Sequence, residues 1–492
     1  MFYFLSRPRR FGKSLLVSTL ENLFAGRKEL FKGLWIEQAD WDWAPHPVLR
    51  IDFNGVSSST PDILHQSLIE KLQFQGRKFG VSAKSVILRN CFNELLLGLF
   101  EKHRQKVAVL IDEYDQPLIT HLGKGEAALE IAKQNREVLR ELYGVLKEGE
   151  VNQALQFVFI TGISKFAKLS IFSELNNLTD LTMHPAYASF LGYTQEELEA
   201  FWGDWIQKLS ASKGETYQTV LDKLKTWYNG YRFTRENIPV YNPVSVLHAF
   251  EREAFGTYWF ETATPAFLVN LIKEQQYPVP LIERLELSQD DFAVYDLDDL
   301  KLEPLLFQTG SITIKDHDEE LYKLSYPNQE VKTSFLKYLY DRMVAIRDSS
   351  LKVQYKKLHL YLRQEQYELF VETTNAIFSA IPYPHLKKQD ESYYHTVFYL
   401  MLAASGVLVH TEVLNIRGRV DVEVHFPEKI YIVELKCNQS AKKALAQIRA
   451  KKYFEKHLHP AARRGRKIVL LGVNFSSQKR RITDWLVEAV ES

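Results

Sequence analysis

MFYFLSRPRRFGKSLLVSTL, residues 1–20, runs four apolar residues (Phe2–Leu5) into a basic knot and then Gly12-Lys13-Ser14. A phosphate-binding loop of the form G-x-x-x-x-G-K-[ST] needs backbone N–H groups aimed at a β-phosphate. It also needs a lysine that bridges the β- and γ-phosphates and a hydroxyl for Mg²⁺. Gly12, Lys13 and Ser14 supply the last three positions, while Arg7 stands at the first glycine. The apolar run reads as a strand and SLLVSTLENLF as an amphipathic helix. Strand, loop and helix N-terminus are the setting in which backbone donors and the helix dipole favour an anion. Arg9, Arg10, Phe11, Gly12, Lys13, Ser14 and Leu15 are therefore expected to line a nucleotide site, with Ser14 on the metal. The simpler alternative is a basic turn at a helix start.

The second half of such a site is an apolar strand ending in acid. KVAVLIDEYD provides it, with Val107–Ile111 buried and Asp112 at the carboxyl end, where open α/β sheets bind ligands. Asp112 is expected to hold the Mg²⁺ hydration shell and Glu113 to polarise the attacking water; Tyr114 and Asp115 receive no chemistry. A third strand, in QFVFITGISKF, ends at Thr161, a candidate γ-phosphate sensor with Ser164 and Lys165 as alternatives. Arg232 is a candidate nucleotide contact from a helical lid.

Four short apolar runs, Phe2–Leu5, Val48–Phe53, Val107–Ile111 and Gln156–Thr161, alternate with helical patterns over the first 165 residues. That predicts an α/β fold: a parallel sheet covered on both faces. Residues 190–290 read as helical, and GYTQEELEAFW carries a cap at Thr194 with Glu197 three residues on. WYNGYRF, residues 227–233, is an aromatic turn. From about residue 390 the order reads helix, strand, strand, helix, strand, helix.

Composition sets the class. The 492 residues suffice for about three domains. The 46% apolar and 25% charged fractions are ordinary for globular protein. Cys91 and Cys437 lie too far apart in sequence for a disulfide framework or zinc cluster and suggest a reducing, cytoplasmic setting. No apolar stretch approaches the roughly 18 residues of a membrane span. The net charge of +1 hides an asymmetry: residues 429–481 hold 15 lysines and arginines against only Glu434 and Glu455. A basic segment of this kind points to a polyanion.

That segment contains RGRVDVEVHFPEKIYIVELKCN. Val420–His425 and Lys429–Leu435 read as two strands around a turn at Pro427-Glu428. A turn centred between those two residues sets Asp421 opposite Glu434, and period-2 alternation puts Lys436 on the same face. Opposed carboxylates repel, costing roughly 0.2–1 kcal/mol if unpaired. A hard cation such as Mg²⁺ removes that cost, and a lysine beside it can orient water. The simpler alternative is a charged solvent face with Arg417 and Arg419 as counter-ions. His395 and His425 read as structural.

LSRPRRFGKSLL, VLIDEYDQP, FITGISKF, IFSELNNLTDLT, WYNGYRF and VYNPVSVL occur in this order. Together they resemble a bacterial family of AAA-type ATPases fused to a C-terminal nuclease-like domain of the PD-(D/E)xK superfamily. In that family arginine is usual at the position of Arg7. Members usually carry a few dozen further residues before the loop, with a segment like YVDKT; the resemblance implies that the start is truncated or that this segment is dispensable. It implies Asp421, Glu434 and Lys436 as a nuclease core and Glu391 as a further metal-binding acid. It also implies Gln447 and Tyr453 as a Q-x-x-x-x-x-Y helix that positions nucleic acid, with Lys451 and Lys452 beside them.

The expected architecture is a P-loop ATPase core (1–190), a helical lid (191–285), a middle domain of winged-helix type (286–385) and a restriction-endonuclease-like α/β domain (386–492). The expected function couples ATP binding and hydrolysis to metal-dependent cleavage of DNA, with ATP and Mg²⁺ as cofactors and no membrane partner. An alternative is a nucleotide-dependent switch whose nuclease-like domain binds nucleic acid without cutting it.

Overall fold

The computed structural model describes residues 1–165, 172, 175, 177–259, 266–275, 277–293, 297–344, 354–381, 391–415, 418–459 and 465–490; for 293, 344, 391–393, 408, 411–415 and 418–420 it describes the backbone alone. The chain divides into two compact units. One joins Met1–Glu274 to Glu286–Glu330, and the other joins Gln275–Leu285 to Val331–Ser492. The stretch 286–385, expected as a separate middle domain, divides between them after Glu330.

The first unit is built on strands β1 (Phe2–Ser6), β2 (Val48–Asp52), β3 (Val107–Asp112), β4 (Leu155–Gly162) and β5 (Leu178–Asp180). Their order is β2-β3-β4-β1-β5, and all pairs are parallel. All six residues of β3 are buried, as an apolar run in a two-faced sheet requires. Helix α1 (Lys13–Phe24) returns along the sheet and packs Val17 and Phe24 against Leu5, Val48, Ala108, Leu110 and Phe159. Because every strand runs the same way, Ser6, Asp52, Asp112 and Gly162 end at one edge. β4 stands between the loop strand and the acid strand.

The helix Gln195–Lys213 opens on the expected capping box of Thr194 and Glu197. It packs with Tyr217–Tyr228 and Pro243–Glu251 around Leu198, Ile206, Leu224 and Phe250. The turn after Tyr228 uses Gly230 at φ 100°. Strands β6 (Leu285–Ser288), β7 (Thr313–His317) and β8 (Leu321–Ser325) form a small sheet of order β6-β8-β7.

The second unit holds a mixed sheet of order β13-β12-β11-β10-β9. Its strands are β9 (Leu408–Asn415), β10 (Gly418–His425), β11 (Lys429–Cys437), β12 (Lys467–Ser476) and β13 (Arg481–Ala489). β11 and β12 are parallel, joined through the helix Ala441–Ala450; the other pairs are antiparallel. Two expectations for this region need correction. Residues 408–415 form an extra strand, and the final element is β13, not a helix. The β-branched and aromatic residues of RITDWLVEA pair along β12, Trp485 beside Val473, and that partner decides the element. Among the described residues no helix is long and apolar enough to cross a membrane. Both cysteines are free thiols.

Candidate functional sites

The loop between β1 and α1 turns on two left-handed residues, Arg10 (φ 72°) and Gly12 (φ 79°). Gly12 caps α1, and no side chain bonds the helix's free N–H groups. A Cβ added to Gly12 would meet nothing within 4 Å, so the space beside those donors is open. Lys13 is buried, and its Nζ donates to the carbonyls of Arg7 (3.0 Å) and Pro8 (3.2 Å). Glu113 Oε1 lies 4.0 Å from that Nζ. Among the described residues Arg9 and Arg10 make no hydrogen bond or ion pair.

Asp112 is fully buried at the end of β3, and neither carboxylate oxygen has a partner in hydrogen-bond geometry. Burial pushes its pKa up, and the Ser14 hydroxyl beside it offsets part of the rise. Burial also raises Glu113, against the pull of Lys13. A buried carboxylate with no hydrogen bond of its own and only a 4.0 Å ion pair to Arg50, facing a hydroxyl next to open N–H donors, is chemistry suited to a hydrated divalent cation and a polyphosphate.

Arg7 does not face that space. Its guanidinium donates to four buried or half-buried carbonyls: Ser6 (3.1 Å), Thr182 (2.9 Å), Tyr187 (2.7 Å) and Phe190 (3.2 Å). It also lies 4.2 Å over the Phe233 ring. Burial pulls its pKa down to about 9, so it stays charged at neutral pH. Phe11, expected at the nucleotide, has a buried ring packed edge-on against Tyr231 (4.9 Å) and Phe233 (5.3 Å). WYNGYRF therefore anchors the loop from below. Leu15 projects from α1 and is 72% exposed.

The γ-phosphate candidates, Thr161 on β4 and Ser164 and Lys165 just after it, are all engaged elsewhere. The Thr161 hydroxyl donates to Leu5 O within the sheet (2.7 Å). Ser164 Oγ donates to Asp115 (2.5 Å), and Lys165 pairs with Asp180 (2.9 Å). Asp115 and Tyr114 now have a role. Asp115 accepts from the backbone N–H groups of Ile163 (3.0 Å) and Ser164 (2.7 Å), and Tyr114 donates to Ser164 O (2.8 Å). Gly162 makes room for them: a Cβ there would lie 2.5 Å from Asp115 Oδ1. Arg232 is occupied as well, donating to the carbonyls of Glu236 (2.8 Å), Lys315 (3.3 Å) and Arg235.

β2, expected as a strand, also brings to the site two side chains to which the sequence analysis gave no role. Asp52 is the sheet partner of Asp112, and Arg50 Nη2 lies 4.0 Å from Asp112 while Nη1 bonds Glu21 (3.0 Å). The signal was present, since β2 and β3 both end in Ile-Asp.

In the second unit the β10–β11 hairpin pairs Val422 with Val433 and His425 with Ile430, the register expected from a turn centred at Pro427-Glu428. The ladder stops one pair short of Asp421 and Glu434; continuing its register sets these two residues opposite each other. Asp421 Oδ2 accepts from Leu435 N (2.8 Å), and Lys436 Nζ donates to Glu434 Oε1 (2.8 Å). Glu434 is 1% exposed, so Lys436 supplies compensating charge to a buried carboxylate. Gln447 reaches Tyr453 OH (3.3 Å). The helix ends at Ala450, so Tyr453 lies in the turn beyond it and not on one helix with Gln447 as expected. Burial raises the Tyr453 pKa, and Gln447 offsets part of the rise. Lys451 and Lys452 are exposed just before Tyr453. Among the described residues no group of three His, Cys, Asp or Glu side chains is arranged to cage a metal. The site offers two carboxylates and a lysine, a set that suits a cation keeping most of its water. The Glu391 side chain and Arg417 lie outside the described residues. His395 Nε2 meets Asp421 O (3.1 Å), in line with a structural part.

Comparison with known proteins agrees with both halves. A family described as "Predicted AAA-ATPase" matches residues 1–172. One described as "PD-(D/E)XK nuclease superfamily" matches residues 389–485. An "Uncharacterized protein in vnfD 5'region" of Azotobacter chroococcum mcd 1 is 35% identical over 499 residues, covering 99% of this chain and 92% of its own length.

Proposed function

Since the chain belongs to the same family as that Azotobacter protein, joining an AAA-ATPase-like domain to a PD-(D/E)XK nuclease superfamily domain, we propose that it binds and hydrolyses ATP and couples this to metal-dependent cleavage of DNA. The observation that carries the reading is the β10–β11 hairpin, on which Asp421 bonds the N–H of Leu435, the residue after Glu434, and Lys436 bonds Glu434.

At the first site the N–H groups of α1 and the open space beside Gly12 receive the β-phosphate. Lys13, whose Nζ bonds the Arg7 and Pro8 carbonyls, would hold the phosphates, and Ser14 and Asp112 would hold the Mg²⁺ shell. Glu113, raised by burial, takes a proton from water more readily than an ordinary exposed carboxylate does. At the second site Asp421 and Glu434 would hold Mg²⁺, whose chemistry there is to offset charge on a scissile phosphate. Lys436 orients water, Gln447 and Tyr453 position the backbone, and Lys451 and Lys452 add phosphate contacts.

The test is Mg²⁺-dependent cleavage of single-stranded DNA, double-stranded DNA and RNA, with and without ATP. Wild type cuts DNA; Asp421→Ala and Lys436→Ala lower the rate by at least about 100-fold. Lys13→Ala keeps the nuclease site but abolishes any effect of ATP. A Lys436→Ala protein that cuts as well as wild type refutes the nuclease assignment. Metal-independent binding without nicking would favour a switch protein that only grips nucleic acid.

A further inference from the structure

Asp421 is not the only acid on its face of β10. Two residues along, and so on the same face, stands Glu423, which the D…E-x-K pattern does not use. Its side chain is buried. An isolated carboxylate there would cost several kcal/mol. Lys456 Nζ pairs with Oε1 at 2.7 Å, and the Nε2 atoms of His425 and His457 each lie 3.2 Å from Oε2. His410, the register partner of Glu423 on β9, sets its ring 5.1 Å from that of His425.

The three donors come from two elements. His425 belongs to β10 itself. Lys456 and His457 belong to the short turn that follows the helix Ala441–Ala450 and Tyr453. Between helix and turn the chain reverses through Lys452 at φ 49°, a conformation a lysine adopts only when its surroundings enforce it. Tyr453 bonds back to the helix through its N–H to Ile448 O (3.2 Å) and buries its ring with Ile432 of β11 and Leu445 and Ile448 of the helix. The fastening of residues 456 and 457 onto Glu423 holds the turn that follows it.

A well-packed apolar side chain could replace a buried ion pair without loss of stability. The charged hub therefore adds geometry more than it adds strength. We propose that Glu423 is a positioning residue of the nuclease-type site: by holding Lys456 and His457 against β10 it steadies the turn after Tyr453, and so keeps Tyr453 and the Gln447 bonded to it in place to grip the nucleic-acid backbone. This rests on the nuclease reading above.

The test uses the full chain and Glu423→Gln, which keeps the shape and removes the charge. Amide hydrogen exchange at residues 451–458 speeds by about 10-fold or more, while the β11 amides keep their wild-type protection. In Mg²⁺-dependent cleavage of duplex DNA, KM rises about 10-fold with kcat within about 2-fold, because the residues moved are grips and not the metal-holding acids. The KM effects of Glu423→Gln and His457→Ala are far from additive, since both release one fastening. Lys456→Ala and His457→Ala give the same pattern more weakly and stand in should Glu423→Gln fail to fold. Unchanged exchange at 451–458, additive KM effects, or a loss confined to kcat overturns the proposal. The exchange measurement involves no cleavage, so a wild type that fails to cut refutes the nuclease reading and leaves the fastening to be judged on exchange alone.

Discussion

Arg7 shows how little a residue's type says about its direction. It stands where phosphate loops usually place glycine, in a knot of three arginines, yet it alone turns away from the open side of the loop. Its fork ties β1 to Thr182, Tyr187 and Phe190 and rests on Phe233. A planar five-donor group suits several carbonyls at once; an ammonium does not. Arg7→Ala should therefore lower stability by about 2–4 kcal/mol, because buried carbonyls lose their donors. Arg7→Lys should recover little of it. Urea unfolding checks this, and an Arg7→Ala protein as stable as wild type would show that water satisfies those carbonyls. Thr161, Ser164 and Arg232 teach the same lesson: each has the right chemistry for a phosphate, and each is bonded inside the fold.

At the scale of elements, the β10–β11 hairpin was legible because a tight turn fixes register, and register fixes which side chains face each other. The third strand beside it, β9, was not, and it carries His410. Burial and the nearby Lys332 pull the His410 pKa from 6.5 down to about 4, with Glu283 acting the other way. The folded state thus binds fewer protons than the unfolded chain between those two values. The contribution to stability is complete above about pH 6.5 and declines as pH falls toward about 4. His410→Gln should flatten the wild-type stability slope across that window, as read from unfolding midpoints at several pH values. Equal slopes in the two proteins would mean that His410 stays accessible to protons when folded. The final strand was missed for a related reason: RITDWLVEA suits strand or helix by itself, and pairing with β12 decides.

At the scale of the whole molecule, each of the two units carries its own core. One centres on Leu5, Val17, Ala108 and Phe159 and the other on Ile432, Leu445, Ile448 and Leu470. Independent cores melt as separate cooperative transitions. Calorimetry should resolve two, and ATP with Mg²⁺ should raise the one that belongs to the phosphate loop, by the linkage of binding to folding. Lys13→Ala should abolish that shift. A single transition, or a shift that survives Lys13→Ala, would contradict this.

The sequence by itself determined the loop, the acid-ended strand, the parallel α/β core and the D…E-x-K hairpin. Each rests on short-range rules: apolar runs, a capping box, a turn that sets register. Tertiary structure alone decided which polar groups face outward. Phe11 turns inward because WYNGYRF, more than two hundred residues away, supplies its partners, and Arg7 because Thr182, Tyr187 and Phe190 supply carbonyls and Phe233 a ring. Glu423 becomes a hub because Lys456 and His457 reach it from the other side of a helix. A side chain's hydrogen bonds depend on which distant segment folds against it, and local sequence does not encode that distance.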